Sequence, residues 1–109
     1  MKTGNIILVP FPFSELTNVK VRPAVVIGVT QDKYADVIVC AISSVVSDKQ
    51  NQNEMLLKSN STNNLRVDSV IKIDRIVTLK KENKIADLGQ LTEEELKEFR
   101  KKFCDLTQN

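Results

Sequence analysis

The stretch AVVIGVTQDKYADVIVCAIS, residues 24–43, places two continuous apolar runs on either side of the polar connection TQDKYA. Runs of this length, rich in Val and Ile and without alternation, read as strands covered on both faces. The connection between them is short enough for a hairpin. Working outward, NIILV (5–9) is a short β-branched strand closed by Pro10 and Pro12, and EMLLK (54–58) is a weaker strand. DSVIKIDRIVTL (68–79) alternates, with Val70, Lys72 and Asp74 on one side and Ser69, Ile71 and Ile73 on the other. SDKQNQN (47–53) and SNSTNN (59–64) have no apolar anchors and read as solvated loops.

The C-terminal LTEEELKEFRKKFCDL (91–106) reads as a helix. Thr92 and Glu95 form a capping box, flanked by Leu91 and Leu96 as a hydrophobic staple. Leu96, Phe99, Phe103 and Leu106 share one face. Glu93–Glu95 sit in the first turn and Arg100–Lys102 late, as the helix dipole favours, so these charges read as a solvated surface. Strands followed by one helix predict a mainly β chain: a small barrel or curled sheet capped by the helix.

The 109 residues read as a single domain with an ordinary globular balance, 41% hydrophobic and 28% charged. The net charge of +2 neither requires nor excludes a nucleic-acid partner. Cys40 and Cys104 are far apart and make neither a zinc knuckle nor a redox pair. The apolar stretch before Pro10 is too short for a signal-peptide core and no stretch approaches a membrane span, so the expected location is cytoplasmic. Histidine is absent, which removes the commonest general base and metal ligand. Chemistry, if any, rests on carboxylates, cations and hydroxyls, with no metal or cofactor expected.

Arg22 precedes Pro23 at the entrance to the strand 24–29. A strand starting at proline lacks one ladder donor, which places this end at an edge or barrel mouth. Extended geometry puts Arg22 on the side of Ala24 and Val26, its guanidinium fork suited to phosphate. Taken alone, such an arginine more often pairs with a carboxylate, here Asp74 or Glu15. Lys72 and Asp74, two apart on a strand, could steady a phosphate and manage a proton, or form an exposed pair. Ser43 and Ser44 end a strand, where a hydroxyl can donate to phosphate or cap a turn. No Walker loop, dinucleotide motif or serine triad is present.

Taken in order, GNIILVPFPF, KVRPAVVIG, VCAISS, DSVIKIDRIVTL and IADLGQLTEEEL resemble the PemK/MazF family of toxins from type II toxin–antitoxin systems. The resemblance implies an SH3-like barrel with a C-terminal helix over residues 1–109, usually as a homodimer. It also implies a metal-independent endoribonuclease that cuts single-stranded RNA at preferred sequences and is neutralised by a cognate antitoxin. Carried over by position, the catalytic residues fall on Arg22, Ser43 and Asp74. Lys20, Glu15, Ser44, Lys72 and Arg75 are the expected RNA contacts. Lys72 stands where one branch of the family has arginine, and that branch's histidine after the first strand has no counterpart. Two alternatives remain open from sequence: a same-fold toxin that binds DNA gyrase, and a family member that only binds RNA or antitoxin.

Overall fold

The computed structural model describes residues 1–12 and 19–108. Glu15 lies outside the described residues. Six strands, β1 (Asn5–Pro12), β2 (Val19–Val29), β3 (Val37–Ser43), β4 (Glu54–Leu57), β5 (Ser69–Leu79) and β6 (Ala86–Gln90), precede helix α1 (Glu93–Asp105). All neighbouring strands pair antiparallel in one sheet of order β4-β5-β3-β2-β1-β6. The chain is mainly β, as expected from its strand runs, and the sheet curls into a half-barrel rather than lying flat.

Three irregularities in the register coincide with that curl. β2 shifts against β3 between Val26 and Gly28, and β1 against β6 between Ile6 and Ile7. The largest lies on β5, where Ala41 faces Lys72 and the adjacent Cys40 already faces Ile76. Extra residues on one strand bend it and raise its twist, which lets a six-stranded sheet fold over. The step from Lys72 to Ile76 also breaks the simple alternation expected along this strand.

Both faces of the central strands are buried, as their continuous apolar runs require. On one face Ile6, Val25, Cys40, Ile42, Met55, Leu57, Ile71 and Ile73 form a core with Leu91 and Phe99. On the other, Ile7, Val9, Phe11, Ala24, Val26, Val37, Val39 and Ala41 pack together. Helix α1 closes the first face through Phe99, which is 1% exposed, with Leu96, Phe103 and Leu106 half-buried against the same core. Its capping box is present: Thr92 Oγ1 accepts from Glu95 N–H at 3.1 Å, and Glu95 Oε1 accepts from Thr92 N–H at 2.8 Å.

Four expectations need correction. Strand β1 does not stop at Pro10; it runs through Pro10 and Pro12, which pair with Val21 and Val19. Leu8 C=O accepts from Ile85 N–H at 2.8 Å, so Leu8 faces β6. Pro10 and Pro12 face the same side beyond the end of the β6 ladder at Ala86, where no N–H is required. Likewise β2 begins at Val19 rather than at Pro23. Pro23 lies opposite Leu8, so its missing N–H points towards β3, one step past the last β2–β3 pair, Ala24 with Ala41. Residues 9–12 and 19–22 thus form a two-stranded arm beyond the sheet proper.

Strand β6 itself was not expected, and residues 59–64 are not a merely solvated loop. Asn63 is fully buried; its Oδ1 accepts from Asn60 and Leu65 N–H, and its Nδ2 donates to Lys58 C=O. The segment lies along the outer edge of β6: Gln90 N–H donates to Thr62 C=O, and Asn64 Nδ2 to Leu88 C=O. Asparagine side chains carry a donor and an acceptor each, so here they replace backbone partners and cover an edge strand.

Candidate active site

The β2–β3 ladder ends at Ala24 and Ala41; two residues further along each strand come Arg22 and Ser43. The strands part there because Pro23 offers no hydrogen to hold them together. A cleft of about 250 Å³ opens at this point, lined by Arg22, Ser43, Lys72 and Arg75, with Phe11, Pro12, Ala41 and Ile42 as its apolar walls. Arg22 also borders a second, larger groove of about 620 Å³, to which Lys20, Ser44 and Arg66 contribute polar groups and Val21, Pro23, Val67 and Leu88 apolar ones. Arg22 is the one charged residue common to both.

Each side chain reaches this place for a local reason. Arg22 shares its face with Ala24 and Val26, whose burial anchors the strand and directs the arginine stem; its Nε is withdrawn from solvent. Ser43 ends β3, and its Oγ accepts from Val45 N–H at 3.1 Å, which orients the hydroxyl and keeps its hydrogen as a donor. Lys72 lies between Ala41 on β3 and Glu54 on β4, and its ammonium meets Glu54 Oε2 at 3.2 Å. Arg75 is placed by the β5 irregularity.

Asp74 is not among the residues lining either cavity. It is exposed and accepts from Asn53 Nδ2 at 3.3 Å. The expected side-by-side arrangement of Lys72 and Asp74 does not hold: Lys72 pairs with Glu54 instead, because the strand departs from regular pairing just past Lys72. No carboxylate lines the cleft or the groove among the described residues. Among the described residues five cations (Lys20, Arg22, Arg66, Lys72 and Arg75) and three serines line the two cavities, and the guanidinium of Arg22, shared by both, has the fork geometry that suits phosphate oxygens.

Glu54 and Arg66 went unrecognised in the sequence. Glu54 opens a four-residue strand, and its partnership with Lys72 depends on a cross-strand register that no local pattern reveals. Arg66 follows the asparagine-rich segment, which carried no strand or helix signal. Glu54 is held below the ordinary glutamate range, first by the Asn51 N–H and then by the Lys72 ammonium. Burial pushes the Cys40 thiol up to about 12, which makes it an inert core side chain. Among the described residues no group of three or more cysteines and carboxylates is gathered to hold a metal ion, and no helix is long and apolar enough to cross a membrane.

A curled antiparallel sheet with one C-terminal helix and a cationic cleft at the mouth of two diverging strands is the architecture of a small β half-barrel protein. The family model described as PemK-like, MazF-like toxin of type II toxin–antitoxin system matches residues 2–107, and the chain belongs to that family. No curated protein matches the chain. Membership makes the protein a toxin of a type II system and gives it an antitoxin as partner.

Proposed function

We propose that the toxin is an endoribonuclease that cuts single-stranded RNA within the Arg22 cleft. The observation carrying this reading is the meeting of Arg22, Ser43, Lys72 and Arg75 in one cavity, from strands distant in sequence. The substrate's own 2′-hydroxyl attacks the adjacent phosphorus. The O2′–P bond forms, the P–O5′ bond breaks, and the products are a 2′,3′-cyclic phosphate and a 5′-hydroxyl. The nucleophile belongs to the RNA, so the protein has to stabilise charge and move a proton.

Arg22 stabilises the phosphorane, whose oxygens become more anionic than those of the bound diester. Ser43 donates its hydrogen to a non-bridging oxygen. Lys72 and Arg75 hold the same phosphate or its neighbour, and Lys20, Ser44 and Arg66 follow the strand along the larger groove. Asp74, outside the cleft, is assigned no contact with the reacting phosphate. The proton leaving O2′ goes to a carboxylate acceptor, for which the sequence offers Glu15, and the departing O5′ takes a proton from solvent. Two copies are proposed to associate as a homodimer in the cytoplasm.

The test is incubation of purified protein with a long single-stranded RNA in EDTA, followed by mapping of the ends. Discrete cuts with cyclic-phosphate termini are the expected result. RNA left intact both in EDTA and in magnesium overturns the reading, and cleavage that vanishes in EDTA and returns with magnesium overturns its mechanism.

A further inference from the structure

We infer that Glu54 is a positioning residue of the cleft, fixing the Lys72 ammonium where it meets the scissile phosphate. The inference rests on the nuclease reading above and adds to it a residue outside the lining set.

Glu54 and Lys72 are directly opposed across the β4–β5 ladder, and their charged ends meet at 3.2 Å. The carboxylate is itself held: Glu54 Oε1 accepts from Asn51 N–H at 3.0 Å, and its side chain is only 14% exposed. The turn before β4 grips the β5 irregularity from the same side. Ile73 N–H donates to Asn53 C=O at 2.9 Å and Asn53 Nδ2 reaches Asp74. The residues 51–54 therefore clasp the part of β5 from which Lys72 and Arg75 enter the cleft. A free lysine has a flexible four-carbon stem and pays entropy to reach one position; a fixed carboxylate removes much of that freedom before substrate arrives.

A carboxylate at this place opposes an anionic substrate electrostatically. Its place beside Lys72 therefore argues for a geometric role rather than an electrostatic one, and this separates the possible roles of Glu54 in kinetics. Glu54→Gln removes a negative charge near the RNA while keeping the shape of the side chain. A positioning role predicts a kcat about tenfold lower, since misplacement of a catalytic group by an ångström can cost up to about a hundredfold, with KM unchanged or reduced. A purely electrostatic role raises kcat/KM, and a purely structural role raises KM and lowers the melting temperature together; either result overturns the inference.

The double-mutant cycle provides the second measurement. Against a Lys72→Ala background, Glu54→Ala should cause no further loss of rate, because its effect passes through the lysine. A loss as large as in the wild-type background overturns the inference. A readout independent of cleavage separates failure of the nuclease reading from failure of this one. Acetylation of Lys72 by a small activated ester, followed by peptide mass spectrometry, should be several-fold faster in Glu54→Gln than in the wild type. Equal rates show that Glu54 does not hold Lys72, whether or not the protein cuts RNA.

Discussion

Arg22 belongs to the core at its stem and to the cleft at its tip. Its neighbours on the same face, Ala24 and Val26, are fully buried, and Pro23 ends the β2–β3 ladder so that the guanidinium emerges where the strands diverge. Under the proposed mechanism, Arg22→Ala should reduce cleavage by ~100–1,000-fold, the usual effect of deleting one preorganised charge-stabilising donor. The circular dichroism spectrum should remain that of the wild type, and undiminished cleavage would remove Arg22 from the mechanism. Asp32 gives a residue-scale prediction about stability. Its carboxylate accepts from Thr30 Oγ1 at 2.8 Å and from the Tyr34 and Ala35 N–H groups, and the Thr30 hydrogen bond, ahead of these backbone ones, holds it below the ordinary aspartate range. A depressed folded-state pKa contributes stability above the unfolded value, near pH ~4, and that stability is lost as pH falls through the folded value. Asp32→Ala should therefore lower the denaturation midpoint at pH 7, and the gap from wild type should narrow towards pH 2. A gap independent of pH would show that the charge of Asp32 contributes nothing.

At the scale of elements, the buried strands and the capped helix were legible because each is a local pattern. Continuous Val and Ile runs need two covered faces, and Thr92 with Glu95 announces a helix within four residues. Strand β6 was not legible, since ADLGQ contains one large apolar residue and gains its place by pairing with β1. The prolines misled for a related reason: they end strands only where a partner needs their N–H, and that depends on where β6 stops for Pro10 and Pro12 and where β3 stops for Pro23. The cover over β6 has its own consequence. A Cβ at Gly89 would collide with the Thr62 carbonyl oxygen, part of the backbone that satisfies Gln90 N–H. Gly89→Ala should displace the residues 60–64 and destabilise the fold by about 1–3 kcal/mol, the usual cost of overpacking. Urea denaturation checks this, and a change within ±0.5 kcal/mol would mean that the asparagine segment yields freely.

For the whole molecule, what the sequence could not reveal is what the curl of the sheet brings together. Arg22 and Ser43 were singled out by the family resemblance, their local patterns alone leaving an ion pair and a turn cap as open readings. Lys72's true partner and Asp74's place outside the cleft follow from the β5 irregularity, a property of pairing between distant strands. The curl also leaves apolar surface beside the site. Val21 is 58% exposed and Val67 54%, both border the larger groove, and Val19 at 59% continues the same edge of the two-stranded arm. Val19 and Val21 on the arm have no β3 neighbour to pack against, because the β2–β3 ladder ends at Ala24. A second copy docked there would cover them and extend the cationic groove with its own Lys20, Arg22 and Arg66, doubling the track available to one RNA strand. The proposed homodimer should therefore give a native mass near twice the 12.3 kDa of the chain at micromolar concentration. Val21→Glu sets like charges and desolvation against that contact and should yield a folded monomer with weaker RNA binding. A wild-type protein that sediments as a monomer, or a Val21→Glu variant that remains dimeric, would place the interface elsewhere or remove it, and would leave the cleft to act on RNA with the groove of a single chain.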